Sequence, residues 1–177
     1  MSAQTEKLWD PLIRIFHWSV AAIVISNYFL NEEGDDWHQW LGYVAVVWLV
    51  VRFFWGFWGT GAARWSDFFP TRASLTEHIR ALIQGKPYHR MGHSPLGGLV
   101  MILMMLCVLF LGITGYMMEE IDYFWGEEWL ENAHSWIANS LIALVAIHIF
   151  AALFESYRLK ENLPLSMITG KRRRVEK

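Results

Sequence analysis

His134 and His148 stand fourteen residues apart in the last long apolar stretch of this 177-residue chain. A helix advances about 1.5 Å and turns about 100° per residue, so fourteen residues make about 21 Å and nearly four whole turns. The two imidazoles therefore share one helix face, one toward each side of a hydrocarbon layer about 30 Å thick. Ionisable side chains inside membrane segments are costly, and a functional role is their default reading. Neutral imidazole is also a common metal ligand. Two of them stacked along one face describe a path for electrons between metal centres at two depths.

The elements that must carry these histidines are long and apolar. The chain is 54% hydrophobic and holds 11 Trp. Four stretches, about 12–30, 37–58, 95–118 and 129–154, are each near the roughly 20 residues that span a bilayer as a helix. A soluble bundle needs polar outward faces, and Val44–Val51 and Leu99–Leu111 offer almost none. The expected fold is a single all-α domain over 1–177, an integral membrane four-helix bundle. Charge orients it: all 15 Lys and Arg fall in Lys7–Arg14, Arg52–Arg90 or Arg158–Lys177, and none in Asn31–Asp36 or Glu119–Glu131. By the positive-inside rule both termini and the middle loop are cytoplasmic and the two short loops face outward, as in a bacterial inner membrane. The first span lacks a small-residue cleavage site after Leu30 and is expected to be retained. Trp residues gather near the span ends, as in an interfacial belt.

The inner loop, Gly59–Ser94, predicts a short amphipathic helix. Ser74 and Glu77 fit a capping box, and Leu75, Ile79, Leu82 and Ile83 make an apolar face, stopped by Gly85 and Pro87. Such a helix either lies on the inner membrane surface or packs beneath the bundle.

The seven histidines divide cleanly. His78, His89 and His93 belong to the polar inner loop, whereas His17, His38, His134 and His148 lie in or at the ends of spans. By depth, His17 pairs with His148 inside and His38 with His134 outside. One histidine at a span end is ordinarily interfacial, but two pairs at two depths suit two iron porphyrins, each held by two axial imidazoles. Gly42, Gly112, Gly115, Ala138 and Ala143 would let a macrocycle approach the backbone. Arg14, with Arg52 and Arg158 behind it, is placed to meet propionates or, alternatively, to snorkel to lipid phosphate. A bare metal is less favoured, because thiolate ligands and intramembrane carboxylates are missing. Cys107 is the only cysteine and no Cys-x-x-Cys-His occurs, which excludes a covalently attached c-type haem.

These residues also resemble a family. Trp9-Asp10-Pro11, Arg14 and Phe16-His17-Trp18 look like the opening of the prokaryotic cytochrome b561 and nickel–iron hydrogenase b-type cytochrome superfamily. His38-Gln39-Trp40-Leu41-Gly42 and Arg52-Phe53-Phe54-Trp55-Gly56 look like its second span. Gly92-His93-Ser94-Pro95-Leu96-Gly97 with Thr114-Gly115 looks like its third, and His134 with His148 like its fourth. The resemblance implies a four-helix bundle with two b haems on His17, His38, His134 and His148, exchanging electrons between the quinone pool (ubiquinone or menaquinone) and a redox partner. His93 sits in a matching motif but is not a ligand in that pattern.

The ends of the path differ. Ten carboxylates crowd the two outer loops: Glu32, Glu33, Asp35, Asp36, Glu119, Glu120, Asp122, Glu127, Glu128 and Glu131. Such a field attracts cationic partners, and a periplasmic c-type cytochrome with a basic rim is expected. The rival reading is a superoxide oxidase passing electrons from periplasmic superoxide to quinone, but an anionic substrate favours a positive funnel. A haem-free membrane anchor is a third reading. Quinone is expected nearer the inner face, where His78 and His93 either exchange its protons or are simply solvated. Membrane lipid is a partner throughout and nucleic acid is not. The chain is thus expected to be an electron-transfer protein or a quinone/quinol oxidoreductase.

Overall fold

The computed structural model describes residues 5–86, 88, 90 and 92–173. His89 and Arg174 lie outside them. Four helices are long and apolar enough to cross a membrane: α1 (Pro11–Phe29), α2 (Asp36–Trp58), α5 (Pro95–Glu120) and α6 (Glu128–Leu159). Between and after them come β1 (Thr5–Lys7), α3 (Trp65–Phe68), α4 (Arg72–Ile83), α7 (Leu163–Thr169) and β2 (Lys171–Arg173). The architecture is all-α, with many apolar side chains of the long helices exposed, among them Val47, Phe110, Phe150 and Leu153. Exposure on that scale suits helices solvated by lipid.

Local chemistry sets the helix starts. Asp10 Oδ1 accepts from the Ile13 N–H at 2.9 Å ahead of Pro11, Asp35 Oδ1 accepts from the His38 N–H at 2.6 Å, and Ser94 Oγ accepts from the Gly97 N–H at 3.2 Å ahead of Pro95. Each side-chain oxygen satisfies a donor with no partner inside the helix. The fourth long helix runs to Leu159, past the expected end at Phe154. Glu155 and Arg158 pair at 3.0 Å three residues apart, so these charges support the last turns instead of ending them.

The inner-loop helix starts earlier than expected. Its cap is Thr71, whose hydroxyl accepts from the Ser74 N–H while Ser74 Oγ accepts from the Thr71 N–H. The Ser74–Glu77 box is not formed. The packed face is also rotated by about one residue: His78 is buried at 2% exposure, whereas Ile79 and Ile83 are exposed.

The chain forms two compact units. The acidic unit comprises Phe16–Phe53 and Ile102–Ala146. Its core joins one residue from each long helix, Ile23, Ala45, Val108 and Leu141. Gly112 lets α5 approach α2 closely, since a Cβ there would collide with the Val46 side chain. The basic unit comprises Met1–Ile15, Phe54–Met101 and Ile147–Lys177. Trp9, Ile13, Ala62 and Ala63 form its core, with Leu8, Trp55 and Met167 packed on it.

In the basic unit β1 and β2 pair antiparallel, Thr5 opposite Arg173 and Lys7 opposite Lys171. Gly170 ends α7 in the left-handed conformation (φ 78°), and its carbonyl accepts from the Leu8 and Trp9 N–H groups at 2.9 and 3.1 Å. The Trp9 indole donates to Ser166 Oγ at 3.3 Å. Arg172 is buried, donates to Glu161 at 2.9 and 3.2 Å, and reaches the Arg90 and Gly92 carbonyls. These long-range bonds turn what reads as a basic tail into an ordered strap.

Candidate functional site

His38 and His134 meet within the acidic unit. Their ring centroids lie 6.1 Å apart with the planes at 51°. Two metal–imidazole bonds of about 2.0 Å plus two ring radii of about 1.1 Å come to about 6.2 Å, so a single iron fits between the rings. His38 is the third residue of α2. Its backbone is held from both sides: Asp35 takes its N–H, and Asn27 Nδ2 donates to its carbonyl at 2.9 Å. Its Nδ1 is buried with no hydrogen-bond partner. His134, on α6, has its Nδ1 2.8 Å from Thr114 Oγ1 on α5.

Both imidazoles line a cavity of about 1050 Å³, just above the roughly 300–1,000 Å³ usual for ligand pockets. Ile23, Ala45, Val108 and Leu141 contribute to its wall, and Gly42, Gly112, Gly115 and Ala138 keep it open. A Cβ on Gly42 would meet nothing within 4 Å, so any larger residue there projects into the space. On Gly115 it would stand 3.6 Å from His134 Cε1. Among the described residues no cluster of three or more His, Cys, Asp or Glu gathers as for a bare ion. Two imidazoles alone hold such an ion poorly, whereas a porphyrin brings four nitrogens of its own. The residues present therefore fit an iron porphyrin.

The cavity lining also includes Asn27, Tyr28, Asn31 and Asn139, with Glu32, Glu33, Glu119 and Glu131. Tyr28 donates to Asn139 Oδ1 at 2.5 Å and Asn31 Nδ2 to Asn27 Oδ1 at 2.9 Å. The described lining contains no lysine or arginine.

The other expected residues are distributed as follows. His17, on α1, belongs to the acidic unit, and His148, on α6, to the basic unit. The His17 ring stands edge-on to Trp18 at 4.9 Å. Arg14 donates through Nη2 to the Ile168 carbonyl, while its Nε is buried without a partner. Arg52 is buried at 3% exposure on α2. Arg158 is engaged by Glu155 and by the Lys86 carbonyl.

Of the loop histidines, His93 packs edge-on against Trp9 at 4.8 Å. His78, expected in the solvated loop or at a quinone, is buried, its ring 4.8 Å from that of Tyr88. Burial lowers its pKa below the ordinary histidine range. Glu155 opposes that shift and Arg158 adds to it.

Sequence reasoning missed Thr114 and Asn27 as supports of the two histidines. A signal existed for the first: Thr114 is the one aliphatic hydroxyl in Pro95–Met118. An isolated polar group in an apolar span needs a partner.

With this geometry in view, comparison with known proteins is specific. The family model described as prokaryotic cytochrome b561 matches residues 8–170. A probable Ni/Fe-hydrogenase B-type cytochrome subunit of Rhizobium leguminosarum bv. viciae is 24% identical over an alignment covering 96% of this chain and 89% of the relative. The protein of the same description from Bradyrhizobium diazoefficiens is also 24% identical, over 95% of this chain and 86% of its own length. A protein named cytochrome b562 from Cereibacter sphaeroides is 25% identical over 86% of this chain and 89% of its own. No solved structure matches.

Proposed function

The chain belongs to the prokaryotic cytochrome b561 family, and from that premise we propose that it holds two b haems and passes single electrons between the quinone pool and a periplasmic redox protein. The observation that carries this reading is the His38–His134 pair, 6.1 Å between ring centroids across a cavity walled by all four long helices. His17 and His148 are the proposed ligands of the second haem. A bound haem supplies a reversible one-electron iron couple. The protein's part is to fix two imidazoles against a partly apolar wall; with both on one iron no coordination position would stay open, which disfavours oxygen chemistry.

The β1–β2 ladder sets Thr5–Lys7 beside Lys171–Arg173, which supports four crossings with these two segments on one side of the membrane. Arg52 is the one Lys or Arg in the acidic unit, and the positive-inside rule then puts the acidic loops in the periplasm and the termini in the cytoplasm. The acidic loops favour a cationic partner such as a c-type cytochrome. The relatives named as hydrogenase subunits make a hydrogenase the second partner to assay. The lining without lysine or arginine argues against superoxide as substrate. Quinone, ubiquinone or menaquinone, meets the inner haem on the His148 side, with His93 in the same unit to exchange its protons.

The test is a haem-to-chain ratio with a reduced-minus-oxidised spectrum, on the wild type and on His134→Ala. Two b haems falling to one supports the assignment, and two haems retained in the variant overturns it. Electron transfer to a basic cytochrome should slow as ionic strength rises. A rate indifferent to salt would sink the docking reading.

A further inference from the structure

We propose that Thr114 is a positioning residue that fixes the tautomer of His134 and tunes the potential of the iron it binds, an inference that rests on reading His134 as an axial ligand. Thr114 is 9% exposed, and its Oγ1 has three neighbours in hydrogen-bond range. These are the Phe110 carbonyl at 2.8 Å, the Leu111 carbonyl at 3.3 Å and His134 Nδ1 at 2.8 Å. A hydroxyl has one hydrogen and two lone pairs. Both carbonyls can only accept, so the hydrogen goes to them, the nearer being Phe110. Contact with the imidazole at 2.8 Å then requires the hydrogen on Nδ1, donated to Oγ1.

A neutral imidazole carries one N–H. With that hydrogen on Nδ1, the lone pair stands on Nε2, the nitrogen left to ligate a metal. The reverse arrangement puts the hydroxyl hydrogen on Nδ1. That sets oxygen lone pairs of Thr114 and Phe110 against each other at 2.8 Å and blocks Nε2 with a hydrogen. The threonine suits this duty because its branched Cβ restricts χ1, and its hydroxyl can bond back to the carbonyl four residues earlier. A Cβ on the neighbouring Gly115 would stand 3.6 Å from His134 Cε1, so one dipeptide supplies the acceptor and leaves room beside the ring.

The two imidazoles are held unequally. His38 is fixed through its backbone by Asp35 and Asn27, and its Nδ1 has no hydrogen-bond partner. His134 alone is polarised through its ring. A hydrogen bond donated by the distal N–H raises the basicity of a ligating imidazole, which favours the oxidised iron.

The test is potentiometric titration of the purified haem-loaded protein, with haem stoichiometry, for Thr114→Val and Thr114→Ser. Valine keeps the shape and removes the acceptor, whereas serine keeps the acceptor. Valine should raise one of the two midpoint potentials by about a tenfold shift in the oxidised-to-reduced ratio, about 59 mV for one electron. Serine should return it to within a third of that shift. If valine expels the outer haem, serine decides: a restored haem at near wild-type potential supports the proposal, and loss in both variants overturns it. Unchanged potentials in Thr114→Val also overturn it. His134→Ala separates the two levels, because two haems retained there defeats the ligand assignment itself.

Discussion

Fourteen of the fifteen lysines and arginines belong to the basic unit, and ten of the seventeen carboxylates to the acidic unit. Packing divides along the same line. The acidic unit sets glycines and small residues against an opening of about 1050 Å³. In the basic unit, the Trp9 indole, the Arg14 guanidinium and the Gly170 carbonyl join the N-terminal segment to the C-terminal one. One region keeps space for a group it does not itself supply; the other holds a joint with its own side chains. The comparison teaches that polar bonds serve different ends in the two. Those of the joint hold segments together, and those around the cavity orient His38 and His134.

This division makes the two regions separable by mutation. The largest effect is expected in the joint: Arg172→Leu leaves Glu161 and two carbonyls without their donor. It should cost about 3 kcal/mol, read as a lower unfolding temperature with the b-haem spectrum unchanged. Gly112→Leu should do the reverse. Forcing a side chain against Val46 costs about 1–3 kcal/mol by overpacking, and the spectrum should lose one haem per chain. Asp10→Ala removes the α1 cap and the acceptor of the Trp55 indole, which donates to it at 3.0 Å. A loss of about 1–2 kcal/mol is expected in thermal unfolding, again with the spectrum intact.

The smallest effect is the pH response of His78. Its folded pKa is depressed, chiefly by burial, so the unfolded chain binds the proton more readily. Stability is full above the unfolded histidine value of about 6.5 and falls as pH drops through it toward the folded value. Wild type should therefore lose more thermal stability between pH 7.5 and 5.5 than His78→Leu. Equal losses would show that His78 is not the sensor.

Much of this was legible in the sequence, for identifiable reasons. The four spans are long apolar runs. The end of α6 was less legible, because the apolar run stops at Phe154 while the Glu155–Arg158 pair carries the helix on to Leu159. The start of α4 was misread because Thr71 and Ser74 form the box one turn before Ser74 and Glu77. Of the candidate site, the residue types and depths of His38 and His134 were readable from helix geometry. Thr114 and Asn27 were not, since their partners depend on the rotation of α5 against α6 and of α1 against α2. The three-residue strands carry too little pattern to announce pairing across most of the chain, and Arg172 looked like one more basic residue for the same reason.

That pairing orders assembly in time. Synthesis at about 5–20 residues per second puts roughly 10–30 s between the emergence of Thr5–Lys7 and that of its ladder partner, Lys171–Arg173. Helix α1 must enter the membrane while Trp9 still awaits Ser166. Every residue of the acidic unit precedes Ile147, so its cavity can form before the strap leaves the ribosome. The nascent protein thus has an interval in which the chamber is built and the latch is still on the ribosome.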